Sequence, residues 1–138
     1  EDEYPVTEAE IMEVGRRWDP QPFHTDPVAA KDSIFGGLVA SSAHIFAIYT
    51  SLGYAEADRD VHMRAVSALG FDKLQWHAPV QPNDILKSRY KVIEKRVSKS
   101  RPAFGIIRSD SEVFNQRGEI VFTLECAFLV ERQSQGEA

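Results

Sequence analysis

Past residue 60 the chain alternates apolar and polar side chains over four stretches of twelve or thirteen residues, and this alternation constrains the fold more than any other feature. In "EIVFTLECAFLVE" the side chains of Ile120, Phe122, Leu124, Cys126, Phe128 and Val130 fall on one face, with Thr123, Glu125 and Glu131 on the other. "ILKSRYKVIEKRV" sets Leu86, Tyr90 and Val92 against Lys87, Arg89 and Lys91. "AFGIIRSDSEVF" is a third candidate strand, ahead of the turn "NQRG". "RAVSALGFDKLQW" is a fourth, interrupted by Gly70. Four long strands need an apolar cover, and one segment supplies it. "ASSAHIFAIYTSLG" is apolar over most of a helical circumference, which predicts a buried helix capped at Leu52-Gly53. The economical packing is α+β: strands joined by antiparallel hairpins into one sheet wrapped on one helix.

Bulk properties narrow the function classes. A chain of 138 residues, 43% hydrophobic and 27% charged, reads as one globular domain spanning 1–138. No apolar run approaches the ~18 residues a membrane helix needs, so no membrane partner is expected. The net charge of -5 argues against a dedicated nucleic-acid binder. A single cysteine excludes an internal disulfide framework and a cysteine-based metal cluster, and fits a reducing, cytoplasmic compartment. Near the start, Thr7 followed by Glu10 forms a capping-box pattern that predicts a helix over about 8–17.

Between these parts lies "WDPQPFHTDP", an aspartate and a histidine set among three prolines. Asp19 and His24 are five positions apart, a spacing that neither helix nor strand brings side by side. The prolines exclude continuous helix and predict an ordered loop, whose bend would direct both side chains into one small volume. A carboxylate and an imidazole sharing a water make a proton-transfer site. The alternative is that Asp19 caps a turn and His24 satisfies a backbone carbonyl.

"DPQPFH" resembles the Asp-x-Asn-Pro-hydrophobic-His signature of the MaoC-like dehydratases, the R-specific enoyl-CoA hydratase family, and Asp26 fits the aspartate two positions after the histidine. "FGGLVASSAHIFAIYT" is similar to the family's loop and central helix, "WHAPVQPNDIL" to its strand entry, and "SKSRPAFGII" with "NQRGEIVF" to its closing hairpin. The resemblance implies a hotdog fold, a curved antiparallel sheet around one long helix. It further implies reversible addition of water to a trans-2-enoyl thioester, giving an R-3-hydroxyacyl thioester, without metal or other cofactor. By carry-over, Asp19 and His24 activate the water. The backbone N–H of Ser42, where the family places glycine, would meet the enolate oxygen. Gln21, Gly37 and Ser41 fall at substrate-binding positions, with Gln21 standing where the family usually has asparagine. The implied partners are an acyl-CoA or acyl-carrier-protein thioester and a second copy of the chain in a homodimer. Two rivals remain open at this point: a hotdog thioesterase, and a non-catalytic subunit that binds acyl thioesters.

Other features carry two readings each. Ser41 fits a helix N-cap as well as a site residue. Trp18 fits an aromatic wall or the core, and His44 fits a satisfied core histidine or a site residue. His62 and His77 carry weaker site readings. Cys126 fits inert packing. From Lys87 to Arg101 seven cationic side chains face one acidic residue, Glu94. That stretch fits a solvated strand face or, through Lys99 and Arg101, a seat for the phosphates of the thioester carrier.

Overall fold

The computed structural model describes residues 2–59 and 65–132. Strand β1 (Tyr4–Pro5) leads into helix α1 (Glu8–Trp18). The helix begins where the capping pattern predicts, with the Thr7 hydroxyl accepting from the Glu10 N–H at 3.1 Å. The proline-rich stretch is not plain loop. It winds into two single-turn helices, α2 (Pro22–Thr25) and α3 (Pro27–Ala30), each starting on a proline. A proline excludes helix upstream of itself yet suits the first helical position, where no N–H is needed and φ is already set.

Helix α4 (Ser42–Arg59) runs through Gly53 rather than stopping there. One interior glycine costs only about 1 kcal/mol relative to alanine, and the Ala, Glu and Arg that follow favour helix. Nor is α4 buried on all sides. Ile45, Ile48, Tyr49 and Leu52 enter the core, while Ser42, Ala43, Ala47 and Thr50 are exposed.

Strands β2 (Ala65–Trp76), β3 (Ile85–Val97), β4 (Phe104–Phe114) and β5 (Ile120–Glu131) follow the four alternating stretches closely. With β1 they form a five-stranded sheet in the order β1-β3-β4-β5-β2, antiparallel throughout. Only β3–β4 and β4–β5 are hairpins, because β2 pairs with β5 and thereby closes α4 against the sheet. β1 escapes sequence reading, since two residues carry no period. It pairs Tyr4 with Leu86 and Pro5 with Ile85. Gly70 marks one of three register irregularities in β2 that let this strand coil. Gly118, at φ +79°, closes the Asn115–Gly118 turn between β4 and β5.

The face of β5 turned to α4 carries Phe122, Leu124 and Cys126, as its alternation predicts. Phe122 is fully buried and its ring meets Phe46, Tyr49 and Trp76 at centroid distances of 6.2, 6.0 and 4.9 Å. The opposite face is less exposed than the sequence suggests. Glu125 is buried there because Lys73 and Arg108 lie over it, both ion-paired to its carboxylate. Phe122→Ala is expected to destabilise the protein by about 3–5 kcal/mol, read as a lowered urea midpoint, because three aromatic rings lose a shared wall.

Candidate functional site

Helix α1 delivers Asp19 as its C-terminal cap, with the Asp19 N–H donating to the Gly15 carbonyl at 2.9 Å. The chain then folds back on itself. The Gln21 N–H donates to the Asp19 carbonyl at 2.8 Å and the His24 N–H to the Gln21 carbonyl at 2.9 Å. This tight reversal puts His24 Nε2 3.5 Å from Asp19 Oδ2. Five residues of separation are thus spanned by the bend that the prolines shape.

The other ring nitrogen fixes the tautomer. His24 Nδ1 lies 2.6 Å from the Val39 carbonyl, which can only accept, so the proton sits on Nδ1. In the neutral ring Nε2 carries the lone pair and, beside the Asp19 carboxylate, makes a pair of acceptors 3.5 Å apart, a spacing suited to a molecule that offers two protons, such as water. The imidazole is buried and the Asp19 side chain is 35% exposed, so entry is from the carboxylate side.

Val39 is clamped in both directions, its N–H donating to the Phe23 carbonyl at 3.0 Å. One residue further, the Ala40 N–H donates to Val80 at 2.9 Å, which carries the segment across to the strand entry. Ser41 is buried and caps α4, its hydroxyl accepting from the His44 N–H at 3.2 Å. Ser42 is the first residue of α4 and is exposed, and its N–H has no acceptor among the described residues. Free N–H groups of this kind and the positive end of the helix dipole suit an oxyanion.

The remaining predicted positions divide. Gln21 is exposed and its side chain makes no capping bond; its carbonyl, not its amide, organises the bend. Gly37 lies in the loop before α4, with open space where a Cβ would stand. Asp26 caps α3, its Oδ1 accepting from Val28 and Ala29. Trp18 is 65% exposed under the Arg17 guanidinium, which excludes a core role for it in the isolated chain. Lys99 and Arg101 occupy the β3–β4 turn. Arg89 in the same basic stretch pairs across strands with Glu112 at 2.9 Å, a partner invisible in the local charge pattern. His77 Nε2 meets the Thr123 hydroxyl at 2.7 Å, and His62 lies outside the described residues. Cys126 is buried among Tyr49, Ser109 and Ser111. On the outer face of the sheet a concavity of about 500 Å³ is lined by Lys73, Arg89, Lys91, Asp110, Glu112 and Glu125. None of the predicted site residues lines it.

Two contributors were missed. Val39 acts through its main chain, which leaves no side-chain signal. Gly15 acts by lacking a side chain: a Cβ there would stand 2.7 Å from the His24 carbonyl oxygen and 2.8 Å from the His24 Cβ. A glycine four residues ahead of Asp19, inside an otherwise ordinary helix, was the available clue.

Comparison with known proteins gives the family and the fold. The family model described as "MaoC like domain" matches residues 1–112. The chain belongs to the MaoC-like domain family and has its hotdog fold. A MaoC-like dehydratase from Rhodospirillum rubrum of known structure is 34% identical, with a TM-score of 0.79 over 96% of this chain and 89% of that one. YdeM of Bacillus subtilis, an uncharacterised protein, is 26% identical over 92% of this chain and 87% of its own. The unliganded R-hydratase PhaJ1 from Pseudomonas aeruginosa shares the fold, with a TM-score of 0.68 at 22% identity over 96% of this chain and 80% of that one. No helix among the described residues is long and apolar enough to cross a membrane.

Gly15→Ala separates contact from propensity. In an exposed helix this change stabilises by up to about 1 kcal/mol. Here the added methyl drives into His24, so a loss of about 1–3 kcal/mol in urea unfolding is expected.

Proposed function

We propose that the protein catalyses R-specific hydration of trans-2-enoyl thioesters, and the reverse dehydration, with Asp19 and His24 as the catalytic residues. The observation that carries this reading is the pair of acceptors 3.5 Å apart, one of them an imidazole whose tautomer a backbone carbonyl fixes. Family membership and the R-hydratase among its structural neighbours supply the reaction class.

A water held between Asp19 Oδ2 and His24 Nε2 points both protons at bases and its lone pair outward. As its oxygen bonds to the β carbon of the enoyl thioester, one proton passes to the pair and the double-bond electrons move onto the thioester oxygen as an enolate. The free N–H of Ser42 at the mouth of α4 is the donor for that oxygen. One preorganised donor of this kind is worth about 2.7–4 kcal/mol of barrier. Collapse of the enolate takes a proton at the α carbon, and no net proton is gained or lost. The thioester carbonyl is the electron sink, so this reading assigns no cofactor.

The substrate is carried on coenzyme A or a carrier protein. A contact from Lys99 or Arg101 to the carrier's phosphates belongs, in this reading, to a thioester bound by another subunit. A homodimer fits the exposed edge of β2, where Val66, Leu69 and Trp76 are 51%, 52% and 43% exposed and no described strand pairs on the outer side.

Purified protein mixed with enoyl-CoAs of several chain lengths is expected to bleach the conjugated enoyl absorbance without releasing free thiol. Free thiol would point instead to hydrolysis, and no signal across the panel to a binding subunit. Asp19→Asn and His24→Gln should each lower kcat by about 10²–10⁴-fold, the range for loss of a general acid or base. Full activity in either variant refutes the assignment.

A further inference from the structure

Three elements meet at one oxygen away from the reacting pair. The Tyr4 hydroxyl on β1 donates to Glu10 Oε1 at 2.7 Å, and His44 Nε2 on α4 reaches the same oxygen at 3.0 Å. Glu10 itself sits in the first turn of α1. Burial pushes the Glu10 carboxyl up, but the two hydrogen bonds and the nearby imidazole outweigh it and hold the group below its ordinary value. The Tyr4 hydroxyl is pushed up to about 12, by burial first and then by Glu10. Both shifts favour the form in which tyrosine donates and glutamate accepts.

His44 is buried, and its Nδ1 has no hydrogen-bond partner among the described residues. With Nε2 spent on a carboxylate, Nδ1 is a desolvated ring nitrogen that no described residue satisfies. Such a ring is a poor choice for stability alone, since an apolar side chain of similar size would fill the space without that cost. What it supplies is direction. Ile11, fully buried on α1, holds the helix to the core by apolar burial, which is non-directional. The hydrogen bonds to Glu10 add direction to that hold.

Helix α1 thus has two fixed points. Near its end Gly15 rests against His24, and at its start Glu10 is tied to the first turn of α4. Asp19 lies nine residues beyond Glu10, about 13 Å along the axis, so a small swing at one end is a displacement at the other. We propose that Tyr4, Glu10 and His44 are positioning residues that lock α1 as a strut between the mouth of α4 and the Asp19–His24 pair, setting the gap in which water is held. The kinetic consequence rests on the hydration reading; the positional one does not.

The test combines Glu10→Ala, Glu10→Gln and Tyr4→Phe. The glutamine carbonyl accepts both hydrogen bonds, and its amide reaches solvent because the Glu10 side chain is 37% exposed. Imidazole ¹H–¹⁵N spectra report the His24 Nδ1–H bond directly. Glu10→Ala is expected to shift that resonance and to lower kcat at saturating substrate at least tenfold, with KM within about threefold. Glu10→Gln should restore both, and Tyr4→Phe, which keeps the Glu10–His44 contact, should move the resonance part of the way. A His24 resonance unchanged in folded Glu10→Ala overturns the proposal, as does failure of Glu10→Gln to rescue. Should Glu10→Ala not fold, an unchanged resonance in Tyr4→Phe overturns it instead. If the wild type hydrates no enoyl thioester, the hydration reading fails while the His24 spectrum still decides the strut.

Discussion

The hydrogen bond from His24 Nδ1 to the Val39 carbonyl is the contact on which the site depends. It orients the ring and selects the tautomer of the neutral imidazole in which the nitrogen facing Asp19 is the acceptor. It also joins two segments that are remote in sequence, the bend after α1 and the approach to α4. The reciprocal bond from the Val39 N–H to the Phe23 carbonyl ties the same two segments a second time. A backbone acceptor suits this task because it moves only if the chain moves.

Around that contact the fold places its parts by exclusion as much as by attraction. Gly15 lets α1 approach the His24 backbone more closely than any residue with a Cβ could. The Ser41 hydroxyl ends α4 with a cap, so the following N–H of Ser42 remains unspent. Asp84, buried beside the strand entry, accepts from the Gln81 N–H and from the Gln116 side chain, which steadies the loop whose Val80 carbonyl holds Ala40. Proline placement, glycine placement and capping all converge on one bend, which is the local consistency expected where geometry must be exact to fractions of an ångström.

Much of this was legible in the chain. The four strands announce themselves by alternation in sequence, which β4 turns into alternating burial, whereas β2 has no buried residue in the isolated chain. Residue chemistry and prolines singled out Asp19 and His24 but left two readings open, and the likeness of "DPQPFH" to a family motif chose between them. Other features were hidden for identifiable reasons. β1 is too short to show a period, and α4 outran Gly53 because helix propensity downstream outweighed one glycine. The pairing of Glu10 with His44 joins residues thirty-four positions apart, and the acidic partner of Arg89 comes from a neighbouring strand. Such contacts exist only once topology has folded the chain. Val39 left no trace because a carbonyl is common to every residue.

The uncovered outer border of β2 has a consequence for how this protein behaves as a material. Along its twelve residues the amide and carbonyl groups of β2 that point away from β5 face no described strand and, punctuated by Val66 and Leu69, form an adhesive margin. Whatever seals that margin also governs shelf life, so resistance to clumping should track protein concentration and not only intrinsic robustness.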